Sequence, residues 1–301
     1  MMKQKDYRSL KKAQARKLSY WPAIIFSLLT LTALLFFTTQ AFAEESKPTQ
    51  TAEYNVYAGG IHALEVNMVN DLQNQDRYEV SMNAKTHGIL GQLAPWSGSF
   101  STSGWKSDVY KPEQHQSVAT WRGEEETKTY RYKKDGSFES YKVVEKGRDK
   151  TPKEVDSELT QNTTDILTAA LNTMNNIASG QSCESTTEIF DGKRRFKLHF
   201  NKKQDVMLEG SRYNIYSGPA IECTAIVEPI AGKWYEKPRG WASIQEQGRK
   251  KGSLPTVWFA KVEEGKPAIP VKVRVKTDYG TLFMHLTNYN GSDKNIKIAG
   301  N

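Results

Sequence analysis

From Tyr54 onward apolar and polar residues alternate, and turns that carry glycine break the alternating runs at short intervals. Side chains at i and i+2 share a face only in an extended strand, so this period of two describes a sheet with one buried face and one wet face. Residues 54–57 run into Ala58-Gly59-Gly60 and out through 63–69, and residues 78–82 alternate in the same way. Residues 127–132 and 138–144 flank Lys134-Asp135-Gly136, and residues 186–190 and 196–200 flank Asp191-Gly192. Gly-Gly and Asp-Gly signal hairpins because both central residues of a type I′ turn take positive φ. Residues 257–262, 271–276 and 281–286, the last following Tyr279-Gly280, add strands near the end.

One segment departs from the pattern. Over 164–179, Ile166, Leu167, Ala170, Leu171, Met174 and Ile177 recur on one helical face. Thr163 or Thr164 is expected as N-cap, with Asp165 in the first turn and Gly180 as the stop. The pattern also allows a shorter helix at 242–249. About a dozen strands, one main helix and no Pro- or Ser-rich interior linker predict one mainly β domain over 53–301. The expected architecture is a single curved, partly closed antiparallel sheet, barrel- or spiral-like, with the helix plugging or covering one opening, since wrapping hides strand edges. A β-sandwich is the alternative.

The first 43 residues read as a Sec-type signal peptide. Lys3, Lys5, Arg8, Lys11, Lys12, Arg16 and Lys17 stand against the single acid Asp6, and an apolar run follows over 24–37. That run is shorter than the roughly 20 residues a membrane-spanning helix needs. It ends at Ala41-Phe42-Ala43, where cleavage after Ala43 is expected, and residues 44–52 read as a disordered lead-in. An uncleaved anchor is the other reading of the same segment. The net charge of +8 belongs mostly to this leader, because the remaining 258 residues carry 35 bases against 33 acids. A near-neutral folded part argues against nucleic acid as a partner. The expected location is the periplasm, and the processed chain would not span a membrane. In an oxidising compartment Cys183 and Cys223, the two cysteines of the chain, are expected to pair.

Several stretches carry a family resemblance. They are 57–64 (Tyr-Ala-Gly-Gly-Ile-His-Ala-Leu), Thr86-His87-Gly88 through Trp96 with Ser103-Gly104, and Cys183 through Phe190-Asp191-Gly192-Lys193-Arg194-Arg195-Phe196. Further on come 216–223 (Tyr-Ser-Gly-Pro-Ala-Ile-Glu-Cys), Pro229-Ile230-Ala231-Gly232, Ile269-Pro270-Val271 and 277–281. In this order they resemble the bacterial domain-of-unknown-function family 3108 (DUF3108). The resemblance implies an exported β-rich domain and the Cys183–Cys223 bridge, and it implies no reaction.

No catalytic signature emerges from the residues themselves. Ser103-Gly104-Trp105-Lys106 matches a Ser-x-x-Lys string, but that chemistry needs the Ser at a helix N-terminus and this setting is strand-like. His62, His87, His115, His199 and His285 have no second His or Cys at i+2 to i+4, so no metal site and no cofactor are expected. Trp234, Tyr235 and Trp241, in the irregular region after Gly232, are the aromatic residues expected to be exposed for ligand contact. Arg195 with Lys197, and Lys272 with Arg274, form basic rows on two strands, expected to be neighbours that make one anion-binding patch. The functional expectation is a periplasmic, non-catalytic binding or scaffolding protein of the cell envelope. Its partner would be an anionic lipid, lipopolysaccharide, glycan or peptide. An envelope hydrolase with an unrecognised active site is the alternative.

Overall fold

The computed structural model describes residues 50–234, 253–277 and 280–297. The leader with its cleavage point after Ala43, most of the lead-in, Tyr235, Trp241, the helix expected at 242–249 and Tyr279 lie outside the described residues. Fifteen strands form one antiparallel sheet. They are β1 (Gln50–Ala58), β2 (Ile61–Asp71), β3 (Arg77–Thr86), β4 (Trp96–Trp105), β5 (Lys111–Trp121), β6 (Glu124–Tyr132), β7 (Phe138–Glu145) and β8 (Arg148–Asp149). The series continues with β9 (Ser185–Phe190), β10 (Arg194–Leu208), β11 (Gly218–Gly232), β12 (Thr256–Ala260), β13 (Ile269–Thr277), β14 (Gly280–Gly291) and β15 (Asn295–Lys297). Helices α1 (Gly88–Leu93), α2 (Ser157–Thr160) and α3 (Ile166–Ala178) complete the described elements.

The topology is a meander folded back on itself. From β1 the chain steps outward strand by strand to β8, and after α3 it steps back from β9 to β14, which pairs with β1. Beta-15 adds to β14 at the side. The sheet is not closed, and aromatic packing bridges its two ends where strand pairing does not. Phe190 of β9 meets Tyr130, Phe138 and Tyr141 of β6 and β7 with ring centroids 5.6–5.9 Å apart. A Cβ at Gly192 would collide with the hydroxyl ends of Tyr130 and Tyr141, so the close approach at this seam requires glycine. Thr164 bridges to Ile189 in parallel and covers the edge of β9.

Helix α3 fills the space the sheet encloses. Leu167, Ala169, Leu171, Met174 and Ile177 pack with Tyr78 and Val80 of β3, Phe196, Leu198 and Phe200 of β10, and Phe259 of β12. Each fully buried Leu or Met contributes about 1.5–3 kcal/mol through area removed from water. The Cys183–Cys223 disulfide is formed and both residues are 0% exposed in this core. A second cluster gathers Tyr54, Met68, Trp258, Val271, Leu286 and Tyr289 with Tyr216 from the loop before β11.

Three expectations need correction. Asp165 is the N-cap of α3 rather than a first-turn residue, because its carboxylate accepts from the Leu167 and Thr168 amides. Strand β1 begins at Gln50, inside the expected lead-in. Hydrogen bonds give this polar residue a reason to be ordered: its Nε2 donates to the Pro267 carbonyl, and its Oε1 accepts from Asn70 Nδ2. Two short helices accompany the expected main one. No helix among the described residues is long and apolar enough to cross a membrane.

Candidate functional site

The basic rows do not sit on neighbouring strands, because β11 and β12 lie between β10 and β13. Arg195 is committed to Glu188 and to the Glu158 carbonyl. Lys197 stands between Glu188 and Glu228 in register. On β13, the Lys272 ammonium lies 4.9 Å from the Trp258 ring and 5.9 Å from the Phe283 ring. Arg274 donates to Thr256 Oγ1, and its guanidinium also lies over the Trp258 ring, 5.5 Å from the centroid. Trp234 is held inward: its indole N–H donates to the Ala231 carbonyl, and its ring meets Phe196 and the Arg194 guanidinium.

What the structure assembles instead begins at the β1–β2 hairpin. The register runs Tyr57 to His62 and then Val56 to Leu64, so Ala63 is an extra residue in β2, a β-bulge. Residues three apart on a regular strand point to opposite faces. The bulge resets that parity and brings His62 onto the face of Glu65. His87 follows the last residue of β3, and its backbone N–H donates to the Ala63 carbonyl. The His62 and His87 rings consequently stack at 4.0 Å, and His87 Nδ1 lies 2.8 Å from Glu65 Oε1. Burial and the neighbouring His87 hold the His62 imidazole below its ordinary pKa. A hydrogen bond from Lys85 leads the contributions that lower the Glu65 carboxyl.

From this corner two rows cross the sheet on the same face. Register aligns Lys85, Glu65, Asn55, His285 and Lys272 across β3, β2, β1, β14 and β13. Beside it run His62, Tyr57, Phe283 and Arg274. Tyr57 stacks on His62 at 5.2 Å, and Tyr213, reaching over from the β10–β11 loop, meets Tyr57 at 5.1 Å. Hydrogen bonds from Asn214 to the Val271 carbonyl and from the Ile215 amide to the Leu286 carbonyl anchor that loop. Tyr57, Tyr213, Lys272, Phe283 and His285 line a cavity of about 470 Å³. Burial, and then the Lys272 charge, keep the His285 pKa low. Next to it a groove of about 670 Å³ runs over β1 to β5, lined by Asn55, Asn67, Asn83, Ser97, Ser99 and Thr120 among others.

A second histidine–carboxylate group lies inside. Asp165 Oδ1 accepts from the Thr102 hydroxyl at 2.8 Å and from two backbone amides, and Oδ2 accepts from the Thr168 hydroxyl at 2.5 Å. The Thr102 hydroxyl gives its proton to Asp165, so at 2.7 Å it must accept from His115 Nδ1–H. Burial works to raise the Asp165 pKa. The His115 charge and the surrounding donors outweigh it and hold the carboxyl low. Thr, His and Asp here resemble a catalytic trio only in composition. The hydroxyl's proton points at the carboxylate, and Thr102 is 0% exposed. Ser103, Gly104 and Trp105 lie on β4, which leaves the Ser-x-x-Lys string without the helix its chemistry requires.

Sequence reasoning missed the His62, Glu65 and His87 group. Its one signal was that both histidines fall within the short stretches that carry the family resemblance. Residues 53–287 match a family described as a protein of unknown function, DUF3108. No curated protein matches the chain. Among solved structures the fold is similar to a β-barrel-like protein of the domain of unknown function DUF1849 from Brucella abortus. That likeness has 12% identity and a TM-score of 0.45, and covers 82% of this chain and 99% of the other.

Proposed function

The chain belongs to the DUF3108 family of proteins of unknown function, and from that premise we propose that it is an exported, non-catalytic binding domain of the cell envelope whose ligand is a glycan. One observation carries the reading: a single sheet face joins a cavity edged by Tyr57, Tyr213 and Phe283 to a groove lined by asparagine, serine and threonine side chains. Sugar rings offer apolar faces that lie on aromatic rings and hydroxyls that pair with amides and hydroxyl groups, and this face supplies both in sequence along β1. Lys272, beside Phe283 and His285, adds a cation that suits a carboxylated or phosphorylated sugar. The disulfide and the leader-like first 43 residues support export.

Calorimetric titration with a panel of neutral and acidic oligosaccharides tests the reading. Binding in the micromolar to millimolar range is expected, with at least a tenfold loss in Tyr57→Ala and Phe283→Ala. Failure of every oligosaccharide to bind, or undiminished binding in both variants, would overturn it. Export is tested separately by N-terminal sequencing of the protein from an envelope fraction. Glu44 is expected as the first residue; an intact Met1 would replace the cleaved leader with an uncleaved anchor, and absence of the protein from the envelope fraction would remove the export half of the proposal.

A further inference from the structure

We propose that His62, Glu65 and His87 form a binding site for a divalent transition-metal ion of the zinc type, with three protein ligands and the remaining coordination position open to solvent. One ligand atom from each residue can be chosen so that all three lie within 4.8 Å of one another. A tetrahedral ion with bonds near 2.1 Å holds its ligands about 3.4 Å apart, so binding requires the group to contract by up to roughly 1.4 Å. His87 stands at the junction of β3 and α1, where it can rotate without moving the ladder.

The state of His62 carries the argument furthest. Its Nε2 is buried and has no hydrogen-bond partner among the described residues. The Leu64 backbone favours a proton on the ring, and with Nε2 unpartnered that proton belongs on the other nitrogen. An imidazole protonated on Nδ1 presents Nε2 as a neutral lone pair, the form in which histidine ligates a metal. Leaving that lone pair buried and unpaired is unfavourable, and a bound cation relieves it. Two imidazoles and one carboxylate form the ligand set of three-liganded zinc sites, and nitrogen donors favour zinc and its neighbours over calcium or magnesium.

The buried carboxylates among the described residues are already satisfied, Asp165 by the interior group above. Glu222 accepts from Lys203 and Gln204. Glu263 accepts from Tyr289 and two backbone amides. At Glu65 the competing cation is Lys85, 3.1 Å away, whose side chain is 67% exposed and free to withdraw. The inference rests on this geometry and not on the glycan reading, so the metal and oligosaccharide titrations can fail independently.

The test uses the full chain, purified without a polyhistidine tag and stripped with chelator, titrated calorimetrically with zinc chloride. One equivalent is expected to bind with a micromolar or tighter dissociation constant. His62→Ala and His87→Ala should each weaken binding at least tenfold. Lys85→Met should tighten it several-fold, a gain that a merely structural cluster would not produce. Absence of stoichiometric binding at about 1 mM zinc, or equal binding in the double variant His62→Ala/His87→Ala, overturns the proposal. If the alanine variants do not fold, the visible spectrum of the parent protein with cobalt(II) decides. Intense tetrahedral bands support the site, and the weak spectrum of a six-coordinate hydrated ion refutes it.

Discussion

Inside the sheet His115 meets Asp165, and at the rim His87 meets Glu65. The residue types are the same and the surroundings are opposite. Asp165 receives two hydroxyls and two amides, His115 Nδ1 lies 3.3 Å from its Oδ1 and also meets Thr102, and the whole group caps α3 from within the core. At the rim the side chains are about two-fifths exposed, Lys85 shares the carboxylate, and the neighbouring His62 keeps a buried nitrogen with no partner among the described residues. A fully satisfied polar network fixes one structure and leaves no capacity for a ligand. An incompletely satisfied one keeps that capacity and contributes less to the fold. Composition therefore does not distinguish a cap from a site, whereas the hydrogen bonds left unmet separate these two groups.

The comparison breaks most directly at Asp165. Removing this carboxylate in Asp165→Ala strips α3 of its cap and leaves His115 and two hydroxyls without their acceptor, so unfolding in urea should show a loss of about 4 kcal/mol. A loss below about 1 kcal/mol would mean that the interior group is no more structural than the rim. The next largest effect belongs to the bridge under the same helix. Cys183 and Cys223 are 40 residues apart in sequence, and replacing both with Ser should cost about 3 kcal/mol while the far-ultraviolet circular dichroism keeps its β signature. Quantitative alkylation of both thiols in unreduced protein would show that the bridge is not formed and remove it from the account.

Some of this was legible before any coordinates. The Gly59-Gly60, Asp135-Gly136 and Asp191-Gly192 turns and the amphipathic run of α3 are local signals, and the structure keeps each of them. Strand β4 was legible only at its end, where Ser103-Gly104-Trp105 reads as strand-like, because Trp-Ser-Gly-Ser-Phe-Ser-Thr-Ser-Gly-Trp as a whole has the small and polar residues of a loop. Its partners make it a strand. Gly104 in particular is required because a Cβ there would strike the Lys111 carbonyl and the Tyr78 ring. The expected adjacency of the two basic rows failed for a related reason, since the order of strands between β10 and β13 is a property of the whole sheet. His62 and His87 are 25 positions apart, and a His-x-x-Glu spacing on a regular strand argues against a shared face. The bulge at Ala63 reverses that conclusion, and nothing local announces it.

The smallest effect separates the two regions by pH. Asp165 and His285 both have lowered pKa values, so in each case the unfolded chain binds protons that the folded chain resists, and stability falls as pH falls. The windows differ because the unfolded references differ. For His285 the loss begins as pH drops below its ordinary value of 6.5, since burial and Lys272 oppose the imidazolium. For Asp165 it begins only near the ordinary aspartate value of 3.8. Urea midpoints measured from about pH 7 down to about pH 5 should therefore decline gently in the parent, and less in His285→Gln, which cannot take up the proton. Asp165→Ala should follow the parent's slope in that interval, although its midpoint is lower throughout, and should diverge from it only below about pH 4. A flat profile between pH 7 and 5 in the parent, or an equal decline in His285→Gln, would show that the aromatic cavity does not hold His285 neutral. The rim would then lose its place in the comparison as the region where burial and function compete.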